Sequence, residues 1–168
     1  MSDNCSWKHM NIYDKMKIGW IRPRVLVKPS QRSDRARHCY TFPNSETTPA
    51  ALILWDQSQP NEYWIVENRY KPGSARNFDR DLPESGLAIW WRDDAKDSLS
   101  LVDARDPSMR PQDILYSPTE WQGGVLFKNR TGARDSTFNM QYLRSGTGFT
   151  EFAIRAPSPA GATMYAEF

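Results

Sequence analysis

The apolar residues of this chain come in short runs, each cut off by proline, glycine or a polar turn. The clearest are Ala51–Trp55 (ALILW), Tyr63–Asn68 (YWIVEN), Gly86–Trp91 (GLAIWW), Phe149–Arg155 (FTEFAIR) and Ala162–Phe168 (ATMYAEF). Runs of that length, rich in Ile, Val, Trp and Tyr, predict strands rather than helices. Arg24–Val27, Leu99–Val102 and Gly124–Phe127 are weaker strand candidates. Twelve prolines and nine glycines supply the turns. The turn APSPAG between the last two runs predicts a terminal antiparallel hairpin. Only Asn11–Trp20 reads as a helix. Asn11 caps it, Asp14 stands three residues on, and Ile12 and Met16 share a face. Gly19 ends it, and Pro23 forbids much continuation. The expected fold is mainly β, an antiparallel sheet or sandwich with one short N-terminal helix. Pro29–Pro49 and Tyr70–Ser85 read as long loops.

Aliphatic residues are modest in number, but Trp, Tyr and Phe number seven each. Each aromatic ring buries a large area, so rings can furnish the core of a 168-residue chain. The formal net charge is +2 with both signs interspersed, which excludes the basic stripe of a nucleic-acid binder. Arg32, Arg35 and Arg37 form a short basic cluster with Asp34 inside it, read as a solvated loop. No apolar run approaches the ~20 residues of a membrane span. Met1–His9 has no apolar segment of signal-peptide type.

The chemistry-bearing residues are few. His9 and His38 are the only histidines, and no His-Glu-x-x-His appears. A catalytic zinc site needs three protein ligands, most often histidines, plus a base. His9 reads as a structural or capping group. His38 and Cys39 are adjacent, so in a strand they point to opposite faces and make no nucleophile–base pair. Cys5 and Cys39 could form one bridge or stay as two buried thiols; neither lies in a CxxC pair. No phosphate loop and no Gly-x-Ser-x-Gly elbow is present. Asp79 and Asp81, with Asp93 and Asp94, are weak candidates to gather round calcium; capping and solvation are the simpler role. Glu67 is expected to pair with Arg69 or Arg76 and hold strands in register.

One pattern is more specific. Tyr63-Trp64-Ile65-Val66-Glu67-Asn68-Arg69, then Phe78-Asp79, Leu82-Pro83 and Gly86-Leu87-Ala88-Ile89-Trp90, resembles secreted zinc metallopeptidases of the immune inhibitor A type. There a strand ending in Glu-Asn-Arg leads through an Asp…Leu-Pro loop to Gly-Leu-Leu-Ile-Trp-His-Val-Asp. His9–Trp20 is similar to the helix that follows the Met-turn in that family, and Met1-Ser2 to the turn itself. Tyr142–Phe149 weakly resembles a later Trp-x-Asp-Gly-Thr turn. Trp91 and Arg92 stand where the family has His and Val, while Asp93 keeps its Asp. Tyr142 and Arg144 replace the Trp and Asp of the turn.

The resemblance implies that residues 1–98 are a remnant of a peptidase domain after the Met-turn, with 99–168 a β-rich C-terminal region. Its motif positions are Glu67, Asn68, Arg69, Asp79 and Asp93. Zinc belongs to the complete family domain, whose zinc helix would precede this chain; no catalytic residue and no cofactor are assigned here. The implied partners are the N-terminal peptidase region or a peptide substrate, the implied location is extracellular, and exposed apolar surface predicts self-association. The expected role is structural, beside a peptidase cleft. The alternative is a standalone β-sandwich module that binds glycans or proteins through Trp55, Trp64, Trp90, Trp91 or Trp121, with one of Trp90 and Trp91 buried and the other exposed. An enzyme with an unfamiliar site is a third, weaker reading.

Overall fold

The computed structural model describes residues 10–28, 38–71, 79, 85–101, 141–145, 148–154 and 157–168. It is mainly β with one short helix. The helix α1 spans Ile12–Lys17. Asn11 caps it as the sequence predicts: Asp14 N–H donates to Asn11 Oδ1 at 2.9 Å, and Asn11 Nδ2 donates to Asp14 Oδ2 at 2.8 Å. Gly19 then takes φ 76°, the left-handed conformation a helix end favours. Asn11→Ala is expected to lower stability by about 1 kcal/mol, read as a shift in the urea midpoint; an unchanged midpoint would mean that tertiary packing alone sets the helix.

Five strands form one sheet in the order β1-β3-β4-β5-β6, with β1 Arg24–Val27, β3 Leu52–Trp55, β4 Glu62–Arg69, β5 Gly86–Asp93 and β6 Ser98–Leu101. Pairing is antiparallel except between β1 and β3. β2 (Cys39–Pro43) pairs antiparallel with β9 (Thr163–Glu167), and β7 (Gln141–Ser145) pairs with β8 (Gly148–Ile154).

The sheet is covered on both faces. On one face Leu52, Leu54, Trp64, Val66, Leu87, Ile89 and Trp91 pack with Phe42, Met164 and Ala166 of the β2–β9 ribbon and with Phe152. On the other, Ile65, Ala88 and Trp90 pack with Ile12 and Tyr13 of α1 and with Ile21. All eight residues of β5 are therefore buried, although successive side chains alternate in direction.

Four expectations need correction. Residues 149–155 and 162–168 do not form a terminal hairpin: β8 pairs with β7, and β9 returns to β2. The Pro29–Pro49 loop contains β2. Trp90 and Trp91 do face opposite ways, but each meets a covering layer, so both are buried. The candidate strand Gly124–Phe127 lies outside the described residues, as do His9, Cys5, the Arg32–Arg37 cluster and Trp121. Cys39 is a free, exposed thiol rather than a buried or bridged one. Among the described residues no helix is long and apolar enough to cross a membrane.

Candidate functional site

Glu67, Asn68 and Arg69 occupy consecutive positions at the end of β4, so alternation sends Asn68 to one face and its neighbours to the other. All three are buried. Asn68 reaches the ribbon face, where its Nδ2 donates to the carbonyls of Phe42 and Gly161, both at 3.0 Å. Its backbone carbonyl accepts from Ser45 N–H at 2.9 Å. One residue thus ties β4 to the end of β2, to the turn after it and to the segment leading into β9.

Glu67 and Arg69 project towards the helix face. Trp90 Nε1 on β5 donates to Glu67 Oε1 at 2.9 Å. The Arg69 guanidinium lies between two carboxylates: Nη1 is 3.6 Å from Glu67 Oε1 and Nη2 is 2.5 Å from Asp79 Oδ1. Lys15, on the helix face that also carries Ile12 and Met16, is buried above this group, and its Nζ donates to Ser45 O at 2.6 Å. The result is a buried ionic cluster held between α1 and the sheet. Glu46, in the turn that carries Ser45, adds a further carboxylate to its field.

Burial and charge compete at each member. Burial pushes the Asp79 carboxyl up to about 6, although Arg69 pulls the other way. Burial pulls Lys15 below the usual lysine range against the attraction of Glu67. Burial also works against the charge of Arg69, but Glu67 and Asp79 override it and hold the guanidinium above its ordinary value. Every formal charge in the cluster thus has an opposite neighbour, which an ion needs to remain charged out of water.

The opposite end of β4–β5 holds a second set of charges. Arg92 Nε donates to Asp94 Oδ1 and its Nη2 to Asp97 Oδ1, both at 2.6 Å. Its guanidinium sits 4.6 Å from the ring centre of Tyr13. Tyr63 lies beside Asp94, and burial, with help from that carboxylate, pushes its hydroxyl up to about 12. Asp93 Oδ1 accepts from the backbone N–H groups of Ala95 and Lys96, and Lys96 Nζ is 2.9 Å from Asp93 Oδ2. These contacts build the β5–β6 turn.

The motif positions therefore divide. Glu67, Arg69 and Asp79 come together as one cluster, with Asn68 stitching the reverse face. Asp93 does not join them. It pairs in register with Glu62, whereas Asp79 sits by Arg69, which pairs with Gly86. Seven residue steps, roughly 23 Å of strand, separate the two ends. Asp79 and Asp93 consequently cannot share a calcium ion; Asp81 and Arg76 lie outside the described residues. Among the described residues no group of three His, Cys, Asp or Glu side chains is placed to hold a metal. Of the tryptophans suggested as binding platforms, Trp64, Trp90 and Trp91 are buried, and Trp55 is half-buried with Nε1 on Pro60 O at 3.3 Å. Trp20 is 66% exposed, and sequence reasoning passed over it.

Lys15 was also missed. Its spacing from Ile12 was the available signal, since i and i+3 share a helix face. The chain matches no protein family, no curated protein and no solved structure.

Proposed function

We propose that this chain is a non-catalytic, metallopeptidase-like domain whose role is to hold structure beside a peptidase cleft. One observation supports this reading above others. The residues that carry the resemblance, Glu67, Asn68, Arg69, Asp79 and Trp90, are all buried and bonded to protein groups. Such residues rigidify a wall; they do not present a nucleophile, a general base or an open ligand position to solvent. The family attribution rests on the motif alone, and so do zinc in the parent domain, an N-terminal peptidase region as partner and an extracellular setting.

The test is a peptide-hydrolysis assay of the purified chain, with and without added zinc, beside a Glu67→Gln variant. No hydrolysis above the buffer blank is expected from either protein. Glu67→Gln is expected to act on stability instead, lowering it by about 2 kcal/mol because a charged partner of Arg69 is lost. Chelator-sensitive hydrolysis by the wild type that disappears in a folded Glu67→Gln protein would overturn the proposal.

A further inference from the structure

Among the described residues β1 is an edge strand, and the side that no described strand covers has a specific chemistry. It bonds to β3 through alternate residues: Arg24 N–H donates to Ala51 O at 3.0 Å and Lys28 N–H to Trp55 O at 2.8 Å. In a parallel ladder the intervening residues turn their N–H and C=O groups the other way. Val25 and Val27 thus offer two donors and two acceptors to the open edge. Their side chains are 53% and 37% exposed, on the face they share with Ile53 and Trp55. An open row of this kind is a template for one more strand. Pro23 and Pro29 bracket it, so the docking register is short.

Charge decides which strand fits. Residues 18–29 contain Arg22, Arg24 and Lys28 and no acidic residue. Lys28 is held by Asp56 at 2.9 Å. Arg22 and Arg24 are exposed and make no ion pair among the described residues. A second copy of the chain suits this edge poorly. Antiparallel self-pairing that bonds Val25 to the Val27 of a second copy sets Arg24 opposite the copy's Lys28, and like charges directly opposed across a ladder destabilise it.

We propose that the open edge of β1 docks an extended acidic segment of a partner protein. The segment adds as a sixth strand, with its backbone on Val25 and Val27 and its carboxylates beside Arg22 and Arg24. This proposal rests on the edge geometry and does not depend on the metallopeptidase-like reading.

The probe is a fluorescein-labelled peptide alternating glutamate and valine, with a lysine–valine peptide as its counterpart, titrated with the full chain and followed by anisotropy. The acidic peptide is expected to bind, to weaken several-fold between 50 and 500 mM salt (roughly 14 to 4 Å of screening length), and to bind at least tenfold better than the basic one. Arg24→Glu should weaken it at least tenfold. Val25→Pro removes an outward N–H that β3 does not use, so it should abolish binding while leaving circular dichroism and melting unchanged. If Val25→Pro proves misfolded, Arg24→Glu carries the test alone. Equal binding of both peptides, no binding of the acidic one, or binding indifferent to both substitutions overturns the proposal. A dimer of the chain that Val25→Pro dissociates also overturns it, by assigning the edge to a second copy.

Discussion

Arg69→Met should destabilise the protein by about 3–5 kcal/mol, the typical effect of removing one partner from a buried ion pair. Methionine is close to arginine in length, so the space stays largely filled and the loss is mainly of charge. Without the guanidinium, Glu67 and Asp79 are two buried carboxylates on the same side of the sheet. Among the described residues Lys15 is then the cation left in the cluster, and burial already lowers its pKa. Neither carboxylate can recover its hydration, because both are fully buried. A domain is typically stable by only 5–15 kcal/mol in total, so the variant should sit near the edge of folding. The expected result is a large drop in urea midpoint with little change in slope. Removing the stranded charges as well should restore much of the loss: Glu67→Gln with Asp79→Asn, combined with Arg69→Met, is expected to be more stable than Arg69→Met alone. Such non-additivity is the signature of groups that act as one unit. An Arg69→Met protein within 1 kcal/mol of wild type would show that the cluster is solvated in solution and that the motif has another use.

The elements most legible in the sequence were those whose signal is local. Asn11, Ile12, Met16 and Gly19 fixed the helix because capping, face and termination all fall within ten residues. The strands β3, β4 and β5 followed from the ALILW, YWIVEN and GLAIWW runs to within two residues at each end. What escaped was non-local. β2 is five residues long, follows a polar stretch and gains its order from β9 at the far end of the chain. Nothing near Cys39 announces that pairing. The same holds for Trp91: alternation correctly sent it away from Trp90, but the β2–β9 ribbon and Phe152, both distant in sequence, explain why that second face is buried. At the site, the Glu67–Arg69 pairing was readable because residues two apart in a strand share a face. Asp79, ten residues beyond Arg69, was readable as a motif position and as a weak calcium candidate, not as a partner of Arg69. Spacing alone could not show that it lies by Arg69 and far from Asp93.

The stability of this protein should fall, not rise, as pH increases from about 4 to 7. Most proteins lose stability on acidification because their carboxylates are held below the ordinary range when folded. Asp56, Asp93 and Asp97 behave that way here. Burial resists ionisation of Asp56, but Lys28 and Ser58 outweigh it; Lys96 does the same for Asp93, and Arg92 lowers Asp97. Their contributions are present above the usual carboxylate pKa of 3.8 and are lost only below it. Asp79 is opposite in sign. Its folded pKa is pushed up to about 6 from 3.8, chiefly by burial, so the folded state holds a proton that the unfolded chain releases. Its stabilising effect is complete below pH 3.8 and disappears as pH rises through 6. A shift of this size corresponds to roughly 3 kcal/mol at most, since each unit is worth about 1.4 kcal/mol. Urea titrations at pH 4.5, 6 and 7.5 should therefore give successively lower midpoints for the wild type. Asp79→Asn keeps the side chain's size, removes its titration and should flatten that trend, with its largest difference from wild type confined to one end of the range. A wild-type profile that is flat, or a slope that persists in Asp79→Asn, would mean that Arg69 keeps Asp79 ionised throughout, and that attraction rather than burial governs the cluster.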